Sequence, residues 1–204
     1  MLPVIHLPDL IDYQDALLLQ QQAVAAILDG SGGELVYLLE HRPVYTIGRL
    51  RDHSSLRQPA SLPHPVVETN RGGQATYHGP GQLVGYPILN LSARGRDLHL
   101  HLRAIEQALI RACAGFGVTA ASRDGLTGVW VADRKLASIG VGVRKWVSMH
   151  GFALNVTSAC LAPFQAITPC GLSGVAMTSL ESETGATISM AEAVAALTGE
   201  LRGL

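Results

Sequence analysis

Short apolar runs punctuated by glycine and proline fill the middle of this chain, and they limit it to a fold of several brief strands beside a few helices. Leu35-Val36-Tyr37-Leu38-Leu39, Val44-Tyr45-Thr46-Ile47 and Val66-Val67-Glu68 are strand-sized. Gln82 to Leu91 reads as a strand kinked at Pro87, Gly128 to Val143 as a hairpin turning at Ala132-Asp133, and Trp146 to Val156 as another strand. Three stretches have helical spacing instead. The first places Tyr13, Ala16, Leu17, Val24, Ile27 and Leu28 after a capping Asp12 and stops at Gly30. The second runs from about Leu98 to Ala114, opened by Asp97 and closed by Gly115. The third begins with Ser189 and Glu192 in a capping-box pattern and ends near Leu201. Arg49 to Pro65 reads as a surface loop. The pattern predicts an α+β domain with a mixed, largely antiparallel sheet packed with helices, and 204 residues fit one domain, 1–204.

Composition narrows the function classes. Hydrophobic residues make up 48% and charged residues 15%, so the chain can build a substantial core and is not disordered. A formal net charge of -1 gives no overall attraction to nucleic acid or to membranes. No apolar run approaches the roughly 18 residues of a membrane span, and the N-terminus has no secretory pattern. Three cysteines in no framework spacing point to a reducing compartment, and the expected location is the cytoplasm. Among the fifteen basic residues only Lys135 and Lys145 are lysines. Where arginine fills almost every surface role, a remaining lysine invites the question of why: unlike arginine, it can give up its proton where its surroundings lower its pKa.

Three segments can carry chemistry. Arg71-Gly72-Gly73-Gln74-Ala75-Thr76-Tyr77-His78 and the following Gly79 to Gln82 surround hydrogen-bonding side chains with glycines, which let a backbone pass close to a ligand. The same pattern suits a tight turn. No Gly-Lys-Ser/Thr follows, so it is not a Walker A loop. Arg134-Lys135-Leu136-Ala137-Ser138-Ile139-Gly140 opens a strand, and alternation puts Lys135 on one face with Ala137, Ile139, Val141 and Val143. Such a lysine either snorkels at the strand end or is desolvated and usable as a proton carrier. Cys113 fits a small core hydrophobe and Cys160 falls in a loop. Cys170, held between Pro169 and Gly171, is placed for presentation or, like most cysteines, for packing.

In order along the chain, these segments resemble the lipoyl (octanoyl) transferase family. Its motifs match Glu40-His41-Arg42-Pro43-Val44-Tyr45-Thr46-Ile47-Gly48-Arg49, Arg71 through Gln82, Gly128-Val129-Trp130-Val131, the Lys135 segment, His150-Gly151-Phe152-Ala153-Leu154-Asn155-Val156 and Pro169-Cys170-Gly171. The resemblance implies a fold like the catalytic domain of biotin and lipoate protein ligases. It implies that Cys170 is the acyl-accepting thiol and that Lys135 lowers its pKa. Arg71 to His78, Ser138, Ile139 and Gly140, and Gly151, Phe152 and Ala153 would line the substrate pocket. The implied donor is octanoyl-acyl carrier protein. The implied acceptors are lipoyl domains of 2-oxoacid dehydrogenase complexes and the glycine cleavage H protein, and no cofactor, metal or ATP takes part. An ATP-dependent lipoate protein ligase is the nearest alternative, and a non-catalytic acyl-carrier-binding module another. Neither would need Cys170 paired with Lys135.

Overall fold

The computed structural model describes residues 1–57, 62–168 and 175–204, so Pro169, Cys170 and Gly171 lie outside the described residues. The chain begins with strand β1 (Val4–Ile11), helix α1 (Tyr13–Asp29), β2 (Leu35–His41) and β3 (Val44–Ile47). β4 (Val66–Glu68), β5 (Thr76–His78), β6 (Gln82–Ile88) and α2 (Leu98–Ala114) follow. Next come β7 (Ala121–Arg123), β8 (Leu126–Val131), β9 (Arg134–Arg144) and β10 (Val147–Asn155). A 3-10 stretch (Ser158–Ala166), β11 (Ala176–Met177), α3 (Leu180–Thr184) and α4 (Met190–Leu201) complete the order.

The main sheet has the order β1-β2-β6-β10-β9-β8-β7, with β11 also pairing β9. β1–β2 and β9–β11 are parallel, and the other pairs are antiparallel. This is the mixed, antiparallel-dominated α+β sheet expected from the sequence. Alternation along β2 divides its side chains between two cores. Val36 and Leu38 join Ile105, Leu109 and Leu197 from α2 and α4, whereas Leu39 joins Ala16 and Val24 from α1. α1 therefore covers one face and α2 with α4 the other. A small sheet, β4-β3-β5, carries a third core of Tyr45, Ile47, Ala75, Tyr77 and Phe164.

Local signals behave mostly as expected. α1 ends at Gly30 in the left-handed conformation, with φ 79°. Both capping-box hydrogen bonds of Ser189 and Glu192 form. Asp12 differs. Its side chain makes no cap bond and lies 3.7 Å from Arg42 instead. The hairpin turns between β8 and β9 as expected, but its register slips by one residue. Val129 faces Ala137 while Trp130 faces Lys135, which leaves Leu136 as an extra residue on β9. Val143 at the far end is 39% exposed, so it does not share the buried face with Lys135. Cys160 sits in the 3-10 stretch rather than a loop, and it is buried.

Candidate active site

A narrow cavity of about 40 Å³ lies against the α1 face of the sheet. Arg71, Gly73, Gln74, Thr76, His78, Ser138, Ile139, Gly140, Gly151, Phe152 and Ala153 line it, so all three of the pocket segments converge here. The sheet explains why. Antiparallel pairing sets Ala153 beside Ser138 and Gly151 beside Gly140. The loop before β5 folds onto the same strand, where the Gly72 N–H donates to the Val141 carbonyl at 2.9 Å. A side chain at Gly140 could not fit, because its Cβ would stand 2.7 Å from the Gly72 carbonyl oxygen. Ala75 and Tyr77 do not line the cavity. They point to the third core, where the Tyr77 ring packs on Tyr45, His64 and Phe164. Period-two alternation along β5 sends Thr76 and His78 one way and Tyr77 the other. Gly72 borders a neighbouring recess of about 270 Å³ that is also lined by Arg49, Leu102 and Lys135. The two spaces share Gly73, Ile139 and Gly140.

Lys135 is 2% exposed, so its side chain is buried and does not snorkel to solvent. Its ammonium nitrogen stands 5.1 Å from the centre of the Trp130 ring, within cation–π range. Its stem crosses Gly128, where a Cβ would come within 2.7 Å of Lys135 Cε. Only glycine leaves that passage open, and the Gly128 N–H is fixed by buried Glu106 at 3.0 Å. On the other edge Met177 pairs with Lys135, and the Thr178 N–H donates to the Lys135 carbonyl at 3.0 Å. The strand that follows the Cys170 segment is thus seated on Lys135.

A directed chain of hydrogen bonds braces the cavity wall. Arg71 Nη2 donates to the Thr46 carbonyl and to Thr46 Oγ1, both at 2.7 Å. The Thr46 hydroxyl faces His78 Nε2 at 3.3 Å, and His78 Nδ1 faces Gln82 Oε1 at 2.8 Å. The Gln82 amide donates to Asn155 Oδ1 at 2.9 Å, and the Asn155 amide to the Thr178 carbonyl at 2.9 Å. Because Gln82 spends its amide on Asn155, its oxygen must accept from His78 Nδ1–H, which leaves His78 Nε2 to accept from Thr46. His41 is fixed likewise. Its Nδ1 donates to the Ile11 carbonyl at 3.0 Å, so Nε2 accepts from the Tyr86 hydroxyl at 2.7 Å.

Sequence reasoning missed Tyr13, Val84 and Tyr86 as cavity residues, and it left His150 without a role. His150 carried a visible signal, a histidine inside an otherwise apolar strand. It holds a left-handed φ of 58° within β10, a conformation costly for a non-glycine residue. Gln20 Oε1 accepts from its backbone N–H at 2.7 Å, and Asn70 Oδ1 from its Nε2 at 2.6 Å. Gln74 Oε1, Thr76 Oγ1 and Ser138 Oγ are buried cavity atoms that hydrogen-bond no described protein group.

Burial pushes His41 and His150 down to about 4, the latter helped by the Arg71 charge, and holds His78 well below the usual range. His101, buried beside α2's start, is likewise pushed down to about 4. These rings stay neutral in the folded protein while an unfolded chain takes up their protons below about pH 6.5. Their contribution is full above pH 6.5 and is lost as pH falls towards 4. Urea unfolding should therefore show stability decreasing from pH 7 to pH 5, by up to about 1.4 kcal/mol per pH unit for each histidine. His101→Gln should reduce that slope, and a flat profile would contradict the neutral assignment.

The sheet, its two helical layers and the cavity on the α1 face define the fold of lipoate and biotin protein ligase catalytic domains. A lipoate-protein ligase A bound with ATP superposes with TM-score 0.72 at 14% identity, over 99% of this chain and 84% of that one. A biotin protein ligase from Aquifex aeolicus gives 0.54 at 14% identity, over 100% and 68%. The family model of the lipoyl protein ligase A/B catalytic domain matches residues 12–202. An octanoyltransferase of Geobacter sulfurreducens is 53% identical over 95% of this chain and 80% of its own length. One of Citrifermentans bemidjiense is 57% identical over 86% and 83%. The chain belongs to the lipoyl protein ligase A/B catalytic-domain family and, within it, to the octanoyltransferases.

Proposed function

We propose that this enzyme takes an octanoyl group from octanoyl-acyl carrier protein onto Cys170 and passes it to a lysine of a lipoyl domain, in the cytoplasm. The lipoyl domains of 2-oxoacid dehydrogenase complexes and the glycine cleavage H protein are the acceptors. The observation that carries this reading is Lys135, buried in a recess that shares Gly73, Ile139 and Gly140 with the cavity, and paired with the strand that follows the Cys170 segment.

In the first step the Cys170 thiolate adds to the thioester carbonyl, the carbon–sulfur bond to the carrier breaks, and the carrier thiolate takes up a proton. In the second, the acceptor amine adds to the octanoyl-Cys170 carbonyl, the bond to Cys170 breaks, and an amide forms. The Lys135 ammonium holds the Cys170 thiolate in the resting enzyme and gives its proton to the departing carrier thiolate; the neutral amine so formed takes up the acceptor amine's surplus proton, which restores the starting pair. Exchange between thioesters is nearly balanced and conversion to an amide runs downhill, so no ATP is consumed. The Gly72 N–H is already committed to Val141, which removes it from the candidate oxyanion donors. Burying about six methylenes at ~0.8 kcal/mol each contributes roughly 5 kcal/mol before ordering costs.

Incubation with octanoyl-acyl carrier protein in the absence of ATP should raise the intact mass by one octanoyl group. Hydroxylamine should reverse it, and adding an apo lipoyl domain should discharge it onto the domain's lysine. No mass shift, or an absolute requirement for ATP, would refute the proposal.

A further inference from the structure

The cavity has two distinguishable ends. Gly73, Ile139 and Gly140 are shared with the recess of Lys135, whereas Tyr13, Tyr86 and His150 border the cavity alone. Polar atoms sort in the same way. Gln74 Oε1 and Ser138 Oγ, adjacent in sequence to the shared Gly73 and Ile139, and Thr76 Oγ1, two residues beyond Gln74, hydrogen-bond no described group and are placed to meet the polar head of a substrate. At the other end the polar tips satisfy one another. The Tyr13 hydroxyl faces His150 Nδ1 at 3.4 Å, where Nε2–H is spent on Asn70, and the Tyr86 hydroxyl is held by His41. What they offer the cavity is ring surface, suited to a terminal methyl group.

Tyr13 is the one side chain that α1 contributes to this lining. It is 5% exposed, lies stacked on His78 at 6.0 Å between ring centres and tilts against His41 at 5.2 Å. We propose that Tyr13 is the floor of the acyl cavity and sets the acyl-chain length the enzyme accepts. The inference rests on reading this cavity as the acyl site. An acyl chain that extends past the ring must displace it, and with it a buried hydroxyl that would lose its partner.

The test compares hexanoyl-, octanoyl-, decanoyl- and dodecanoyl-acyl carrier proteins by kcat/KM, with calorimetric binding of the free fatty acids in parallel. Tyr13→Ala should raise the decanoyl-to-octanoyl ratio about tenfold, the equivalent of two methylenes at ~0.8 kcal/mol each. Tyr13→Trp should move the preference towards hexanoyl, and Tyr13→Phe, which keeps the ring, should keep the wild-type profile. Should Tyr13→Ala fail to fold, Tyr13→Leu serves the same purpose, with a thermal melt to show that it is folded. An unchanged chain-length profile in a folded Tyr13→Ala or Tyr13→Leu, in turnover and in fatty-acid binding, would overturn the floor. A wild-type enzyme that transfers no octanoyl group, while calorimetry shows the expected shift, would instead overturn the transfer reading and leave the floor standing.

Discussion

Cys170→Ser is expected to lower octanoyl transfer by at least ~10³-fold and to abolish the thioester adduct. A thiol is a few per cent ionised at neutral pH even without assistance, and a neighbouring cation raises that share. A serine hydroxyl in the same place is essentially un-ionised. The other two cysteines provide the control. Cys113 and Cys160 are buried, and burial pushes both thiols up to about 12, so neither presents a thiolate. Cys113→Ser and Cys160→Ser should still take up one octanoyl group, read by intact mass. Labelling that survives loss of Cys170 would show the assignment to be wrong.

Lys135→Arg separates two roles that one residue can combine. If Lys135 supplied charge alone, a guanidinium would serve, as arginine does at almost every other basic position of this chain. On the proposed mechanism it also receives a proton from the acceptor amine, and Lys135→Arg should then lose about 10²–10⁴-fold in amide formation. Alkylation of Cys170 should stay fast at neutral pH. Lys135→Ala should impair both, moving the pH profile of alkylation towards an ordinary thiol near about 8.5. The passage over Gly128 is narrow, so a thermal melt must show that the arginine variant folds. Lys145→Arg, at the exposed β9–β10 turn, should be close to neutral. Wild-type transfer by Lys135→Arg would reduce Lys135 to a positive charge.

The helices and longer strands were legible because their signals are local. α2 occupies Leu98–Ala114, the span its caps define, and α4 starts from its capping box. β1 was not legible. Val4–Ile11 contains Pro8 and Asp9, shows no period of two in its burial, and gains its strand character only by lying parallel to β2. β5 was hidden for another reason. Three residues in a glycine-rich stretch read as a turn, and without the strand nothing indicated that Ala75 and Tyr77 face away from the cavity. Apolar alternation left Lys135 either snorkelling or desolvated; its burial shows only in the fold, where an extra residue at Leu136 also interrupts that alternation. Tyr13 showed as one more apolar position on a helix. Its place in the cavity depends on how α1 lies across β6 and β10, which no local pattern encodes.

The hydrogen bonds running from Arg71 to Thr178 also have a parity. Every link has one donor and one acceptor, and two of the five side chains, Gln82 and Asn155, are amides that present a donor on one side and an acceptor on the other. The series cannot relay protons, because an amide does not pass one on, so it acts as a frame. Its polarity is set at both ends, by a guanidinium that only donates and a backbone carbonyl that only accepts. Inverting one amide would set oxygen against oxygen at the next junction. Thr46, His78, Gln82 and Asn155 thus share one orientation, and the sense in which β3, β5, β6 and β10 are knit together is a single binary choice made once for the whole wall.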